Sequence, residues 1–167
     1  KQDLSREVLK IDPYEAKFIK VREQMKKDVV YRISVLKKVK TLQVLGNEEL
    51  TQACESMSTR TYRDGEDIIR QGEKGDSLYL LQSGEVVVTR KHNPKDASEK
   101  PTVLATLPRN TCFGEIALLT EEPRSATITA VGTCVAVSMK KKHFDEILEK
   151  SNEKHKKMKK NGKRKIQ

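Results

Sequence analysis

Phe113-Gly114-Glu115-Ile116-Ala117-Leu118-Leu119, continued by Pro123-Arg124-Ser125-Ala126-Thr127, is the segment on which the reading of this chain turns. It places a glycine, a carboxylate, a run of small and apolar residues and one arginine within a short span. Glycine lets a backbone approach a ligand closely. Backbone N–H groups at a helix start attract an anion. Arginine completes an anion site with a planar fork of donors. A carboxylate can accept from a sugar hydroxyl. Glu115 and Arg124, nine residues apart, together with Gly114, are the parts needed to hold a phosphate and a ribose at once.

Outward from this segment the chain changes character twice. From residue 58 to residue 139 it breaks into short β-branched runs at 60–62, 67–70, 77–82, 85–90, 102–107, 126–130 and 134–139. Asp64-Gly65, Gly72-Glu73, Gly75-Asp76 and Ser83-Gly84 punctuate them as turns. Strands this short at such regular spacing predict a rolled-up antiparallel sandwich or barrel. The polar stretch 91–101 reads as an exposed loop. The segment around 113–126 is expected to be a turn plus a short helix.

Before residue 58 the chain reads as helix. Pro13 fits a first helical position. Phe18, Val21, Met25 and Val29 recur at helical spacing, predicting one apolar face. Leu36, Val39, Leu42 and Leu45 form a denser cluster, and a short helix through Leu50, Ala53 and Cys54 follows. After Met139 helical spacing returns with Phe144, Ile147 and Leu148. The expected organisation is therefore an N-terminal helical subdomain (1–57), a β-roll (58–139) and a C-terminal helix with a basic tail (140–167).

Bulk properties narrow the function classes. The chain has 167 residues, 35% of them hydrophobic, and a formal net charge of +10. Residues 140–167 hold eleven lysines and Arg164 against four carboxylates, so the tail carries most of that charge. No aromatic residues interleave with these lysines, as single-strand stacking would require. The tail reads as a solvated helix face, and nucleic acid is not an expected partner. No apolar run is long enough to span a bilayer. Cys54, Cys112 and Cys134 are odd in number and widely spaced, which favours core thiols in a reducing, cytoplasmic setting over a disulfide framework. The chain begins at Lys1 rather than Met, as a fragment or processed chain would. Nothing supports catalysis or a metal site. His92, His143 and His155 are scattered, and no phosphate-cradling glycine loop of the kinase or P-loop type is present.

These residues resemble the cyclic nucleotide-binding domain family, most nearly the regulatory modules of cAMP- or cGMP-dependent protein kinases. The resemblance spans about residues 30 to 150. It rests on the spacing Leu36, Val39, Leu42, Leu45; on the run from Tyr62 to Tyr79 containing Asp64-Gly65-Glu66 and Gly75-Asp76-Ser77-Leu78-Tyr79; on Ser83-Gly84-Glu85-Val86, expected as a hairpin; and on the segment quoted first, the family's phosphate-binding cassette (113–126). It implies an α+β fold, an eight-stranded antiparallel β-roll with an N-terminal helical bundle and C-terminal helices. It implies that Arg124 pairs with a phosphate oxygen and that Glu115 accepts from the ribose 2′-hydroxyl. Gly114, Ile116, Ala117, Ser125 and Ala126 complete the ligand contacts. Asp76 would hold the Arg124 guanidinium from behind, and Leu118 would move with the cassette against the hinge of the last helix.

The implied ligand is cAMP or cGMP. Ser125 leans toward cGMP, because a hydroxyl there can bridge the phosphate and the 2-amino group of guanine. Ala105 stands where the most selective cGMP sites place an arginine, so the expected preference is weak. The cap over the base would come from Met158, from Ile166 or from sequence outside this chain. The implied role is a regulatory module whose occupancy moves helices and is passed to a kinase or other effector. Other readings remain open: a degenerate scaffold of the same fold acting through protein contacts alone, a transcription regulator, or a channel's regulatory module.

Overall fold

The computed structural model describes residues 13–120 and 122–163, with side chains given for most of them. Three α-helices flank one antiparallel sheet. Helix α1 (Pro13–Leu36) leads through a 3-10 turn (Lys40–Leu42) to α2 (Asn47–Ser56). Strands β1 (Ser58–Tyr62), β2 (Asp67–Ile69), β3 (Ser77–Arg90) and β4 (Thr102–Pro108) follow. Then come β5 (Cys112–Phe113), a second 3-10 helix (Glu115–Leu118), β6 (Thr127–Lys140) and α3 (Lys141–Lys163). The sheet runs β1-β6-β3-β4, with β2 added to β6 and β5 to β3.

Among the described residues there are six strands, against the eight expected. The runs at 77–82 and 85–90 join into the 14-residue β3, and those at 126–130 and 134–139 into the 14-residue β6. The Ser83–Val86 stretch is therefore no hairpin. The β3–β6 ladder continues from Ser77↔Lys140 to Thr89↔Thr127, with its register shifting between Leu81 and Glu85. Gly84 makes this possible. Its φ is +87°, and a Cβ there would lie 2.6 Å from Cys134 Sγ and 2.8 Å from the Thr133 carbonyl. A bulge of this kind bends a strand without ending its pairing.

The bulge also changes which residues face inward. Before it, Leu78 and Leu80 join the cluster under the helices while Leu81 points into the roll. After it, Val86 points into the roll. On β6, Val137 and Met139 face the helices while Ile128, Ala130, Cys134 and Ala136 face the roll. Period-2 alternation assigns each set to its face. The central strands are thus covered on both sides where the helices lie, and on one side beyond them.

The helical layer is smaller than the expected bundle. Leu36, Leu42 and Leu45 are buried, and they seat the C-terminal end of α1 against α2 and the sheet. Phe18, Val21 and Met25 are 69%, 53% and 63% exposed while Val29 packs against the core, so the predicted apolar face is covered only toward the C-terminal end of α1. At the other end the described residues form one helix, α3, where several are expected. Phe144 and Ile147 bury its first turns. Met158's side chain and Ile166 lie outside the described residues. No helix among the described residues is long and apolar enough to cross a membrane.

Candidate functional site

The site forms where β3, β5, the second 3-10 helix and the segment before β6 converge. β5 pairs with β3 through Tyr79↔Phe113 and Leu80↔Cys112, which brings Gly114 beside the start of β3. The Tyr79 and Phe113 rings stack with centroids 5.5 Å apart. Gly114 then turns the chain with φ +75° and caps the helix Glu115–Leu118. An L-residue disfavours that conformation. Space forbids a side chain as well, since a Cβ on Gly114 would lie 2.7 Å from Arg124 Nη1 and 3.2 Å from the Ser77 carbonyl.

Arg124 is fixed at both ends. Its backbone N–H donates to Glu73 O and its carbonyl accepts from Gly72 N–H, each at 2.8 Å. Its guanidinium donates through Nη1 to Gly114 O at 3.0 Å and through Nη2 to Ser77 O at 2.6 Å. The Tyr79 ring centroid lies 6.0 Å from Cζ. Partial burial lowers the guanidinium's pKa, and the negative ends of Tyr79, Asp76, Glu115 and Glu73 oppose that shift. An arginine pKa is so high that the charge persists throughout. Donors remain on the guanidinium for an incoming anion.

Gly114, Glu115, Ile116, Arg124, Ser125 and Ala126 line a single cavity of about 320 Å³, closed behind by Ile69, Val88, Leu107 and Phe113. Arg124 and Glu115 therefore both line one cavity with an apolar wall. The Glu115 side chain is half-buried. Ile116 is 55% exposed at the rim. Ser125 is exposed, and its carbonyl accepts from Arg90 Nε at 3.0 Å. Ala117 lies within the 3-10 helix.

Leu118 turns the other way. It is 1% exposed and belongs to the cluster that holds Leu36, Phe144 and Ile147. One face of the short helix thus meets the cavity while its last residue sits in the helical core. Asp76 does not line the cavity. Its carboxylate accepts from the Ser77 hydroxyl at 2.8 Å, and the direct partners of the guanidinium are the two backbone carbonyls.

Arg90 and Lys141 carry no signal in the sequence, and Ser77 and Tyr79 appear there only within the motif that leads into β3. Lys141 Nζ donates to Leu118 O at 2.6 Å and its backbone N–H to Asp76 O at 2.7 Å. Contacts to backbone carbonyls leave no residue-type signal, and Lys141 sits in a run of three lysines. Cys112 lies at the cavity floor; burial, and then the Glu115 charge, push its thiol up to about 12. No cluster of His, Cys, Asp and Glu among the described residues could hold a metal ion.

Within the roll of antiparallel strands, the glycine-started 3-10 helix carries Glu115 and the segment before β6 carries Arg124, and both residues line one cavity. The chain belongs to the cyclic nucleotide-binding domain family, whose sequence profile matches residues 59–151. It is 35% identical over 125 residues to a cAMP-dependent protein kinase regulatory subunit of Dictyostelium discoideum, covering 75% of this chain and 38% of that protein. A second such subunit, from Debaryomyces hansenii, is 33% identical over 113 residues, covering 68% of this chain and 23% of that one. The cAMP co-crystal structure of the regulatory domain of Toxoplasma gondii PKA superposes with a TM-score of 0.63 at 27% identity. That match covers 88% of this chain and 56% of the other. The chain thus spans well under half the length of these curated relatives. Those relatives are regulatory subunits of kinases and not their catalytic parts.

Proposed function

We propose that this chain senses a cyclic nucleotide and passes occupancy to an effector through its helices. The observation that carries the reading is the shared cavity of Arg124 and Glu115. Its volume of about 320 Å³ falls in the range of small-molecule sites. The cyclic phosphate carries one negative charge and meets the remaining donors of Arg124, in bonds about twice as strong as neutral ones. The ribose 2′-hydroxyl donates to Glu115. The purine lies along Val88 and Leu107.

Both cAMP and cGMP fit this scheme. The Ser125 hydroxyl makes no hydrogen bond within the described residues and is free to reach a guanine 2-amino group. Ala105, opposite Val88 on β4, offers the base no donor. We assign a small preference for cGMP. The names of the relatives argue for cAMP, and that keeps the expected margin narrow. A kinase catalytic region is the proposed effector, again on the strength of those names. Free Cys54, Cys112 and Cys134 suit a reducing, cytoplasmic setting.

The test is a comparison of each ribonucleotide with its 2′-deoxy analogue. Glu115 predicts a loss of about 10- to 100-fold for the deoxy form, because a charged acceptor is left unpaired. In Glu115→Gln that discrimination should shrink. Equal binding of the ribo and deoxy forms by the unaltered chain would remove Glu115 from the site.

A further inference from the structure

Two cations hold the short helix Glu115–Leu118, one at each end. At its start, Arg124 Nη1 donates to Gly114 O at 3.0 Å. At its finish, Lys141 Nζ donates to Leu118 O at 2.6 Å. Both residues also reach the Asp76-Ser77 dipeptide that leads into β3, Arg124 through its guanidinium and Lys141 through its backbone N–H. Arg124 Nη2 takes Ser77 O at 2.6 Å, and Lys141 N–H takes Asp76 O at 2.7 Å. Adjacent carbonyls on one strand are therefore shared between the proposed phosphate ligand and the first residue of α3.

The arrangement at Lys141 is physically favourable for three reasons. A cation at a helix C-terminus meets the negative end of the peptide dipoles. Its bond to a backbone carbonyl is charge-assisted. Asp145, one turn along α3, lies 3.7 Å from Nζ and holds the ammonium over the carbonyl. Beneath this contact Leu118 is 1% exposed and Phe144 2%, within one cluster. The amine and the apolar contact thus tie the same two segments together.

We infer that Lys141 is a positioning residue that makes α3 follow the 3-10 helix of the nucleotide site, acting as the counterpart of Arg124 across the Asp76-Ser77 dipeptide. Arg124 sets where the helix starts and Lys141 sets where α3 starts relative to its end. A displacement of Glu115–Leu118 then reaches α3 through a polar bond as well as through Leu118 packing. This deepens the proposed nucleotide-sensing role and rests on it for the identity of the input. The clamp itself is testable without any nucleotide.

Residue-resolved amide exchange separates the two. In the chain alone, Lys141→Met should speed exchange at Leu119 and Thr120, whose N–H groups both donate to Ile116 O, and at residues 141–144, in each case by about tenfold or more. Lys141→Arg keeps a long cation and should restore protection. Lys142→Met, one residue along on an exposed side chain, should change neither segment. Exchange in Lys141→Met that matches the unaltered chain, or that changes in residues 141–144 alone, overturns the inference. Should the methionine variant fail to fold, Lys141→Gln against Lys141→Arg makes the same comparison.

With saturating cAMP, the unaltered chain should gain protection in both 115–120 and 141–144. Lys141→Met should gain it only in the first, with affinity within about tenfold of the starting value. Equal gains in both segments of the variant refute the coupling. An unaltered chain that takes up no cAMP refutes the sensing role, and the exchange rates of the nucleotide-free chain still decide the clamp.

Discussion

Gly114→Ala is the substitution whose consequences the structure fixes most tightly. The residue has φ +75°, and an L-residue there costs about 1–2 kcal/mol. Its new Cβ would lie 2.7 Å from Arg124 Nη1 and 3.1 Å from Ile69 Cδ1. The guanidinium is the end of a flexible side chain and would give way. Giving way breaks the bonds to Gly114 O and Ser77 O. Arg124 is only part-buried, so water offsets much of that loss, and about 1–2 kcal/mol remains. The expected destabilisation is about 3 kcal/mol, or roughly 6–12 °C in melting temperature for a domain of this size. Thermal melts followed by circular dichroism measure it. Nucleotide affinity should fall by about tenfold or more, because the displaced guanidinium no longer faces the cavity. In an Arg124→Ala background the same glycine change should add almost nothing to the affinity loss. A Gly114→Ala chain melting within about 2 °C of the unaltered one, with unchanged affinity, would refute the claim that this glycine seats the arginine.

Other consequences follow from neighbouring residues. Ser125→Ala should weaken cGMP binding more than cAMP binding in parallel titrations, without a change in melting temperature because the side chain is exposed; equal losses remove the case for a guanine preference. Leu118→Ala should cost about 2–5 kcal/mol in urea denaturation, since its side chain is fully enclosed, and a cost below about 1 kcal/mol would place it outside the core. Burial pushes the Cys54 thiol up to about 11 and the Cys112 thiol up to about 12. The thiolate of Cys112 at pH 8 is therefore about three orders of magnitude scarcer than that of an ordinary cysteine. Iodoacetamide should label both far more slowly in the native chain at that pH than after denaturation; rapid native labelling of the fully buried Cys54 contradicts the packing described.

The cassette was legible because its chemistry is contiguous. Gly114, Glu115, Arg124 and Ser125 lie within a dozen residues, and each residue type points to one contact. The alternating runs located β1 to β4 and β6 for the same reason, since period 2 is a local property. What failed was continuity. Glycine with a turn-like neighbour signals a reversal, and at Gly84 the strand bends through a bulge instead. Only the partner strand decides between those outcomes. The α1 face of Phe18, Val21, Met25 and Val29 shows a second limit, since only Val29 is packed against the core. Helical spacing reports an apolar face but not whether anything covers it. Asp76 shows a third limit. The sequence offers a carboxylate behind Arg124 whose charge does reach the guanidinium, while the direct bonds go to Ser77 O and Gly114 O, acceptors that every residue carries.

Calorimetric titration of the chain and of Arg124→Ala with cAMP and cGMP tests the central claim most directly. Saturable binding of both nucleotides by the unaltered chain is expected, with affinity about 100-fold weaker in the variant through the loss of one charged hydrogen-bonding partner. No heat at millimolar nucleotide, or equal affinity in the two chains, would contradict it.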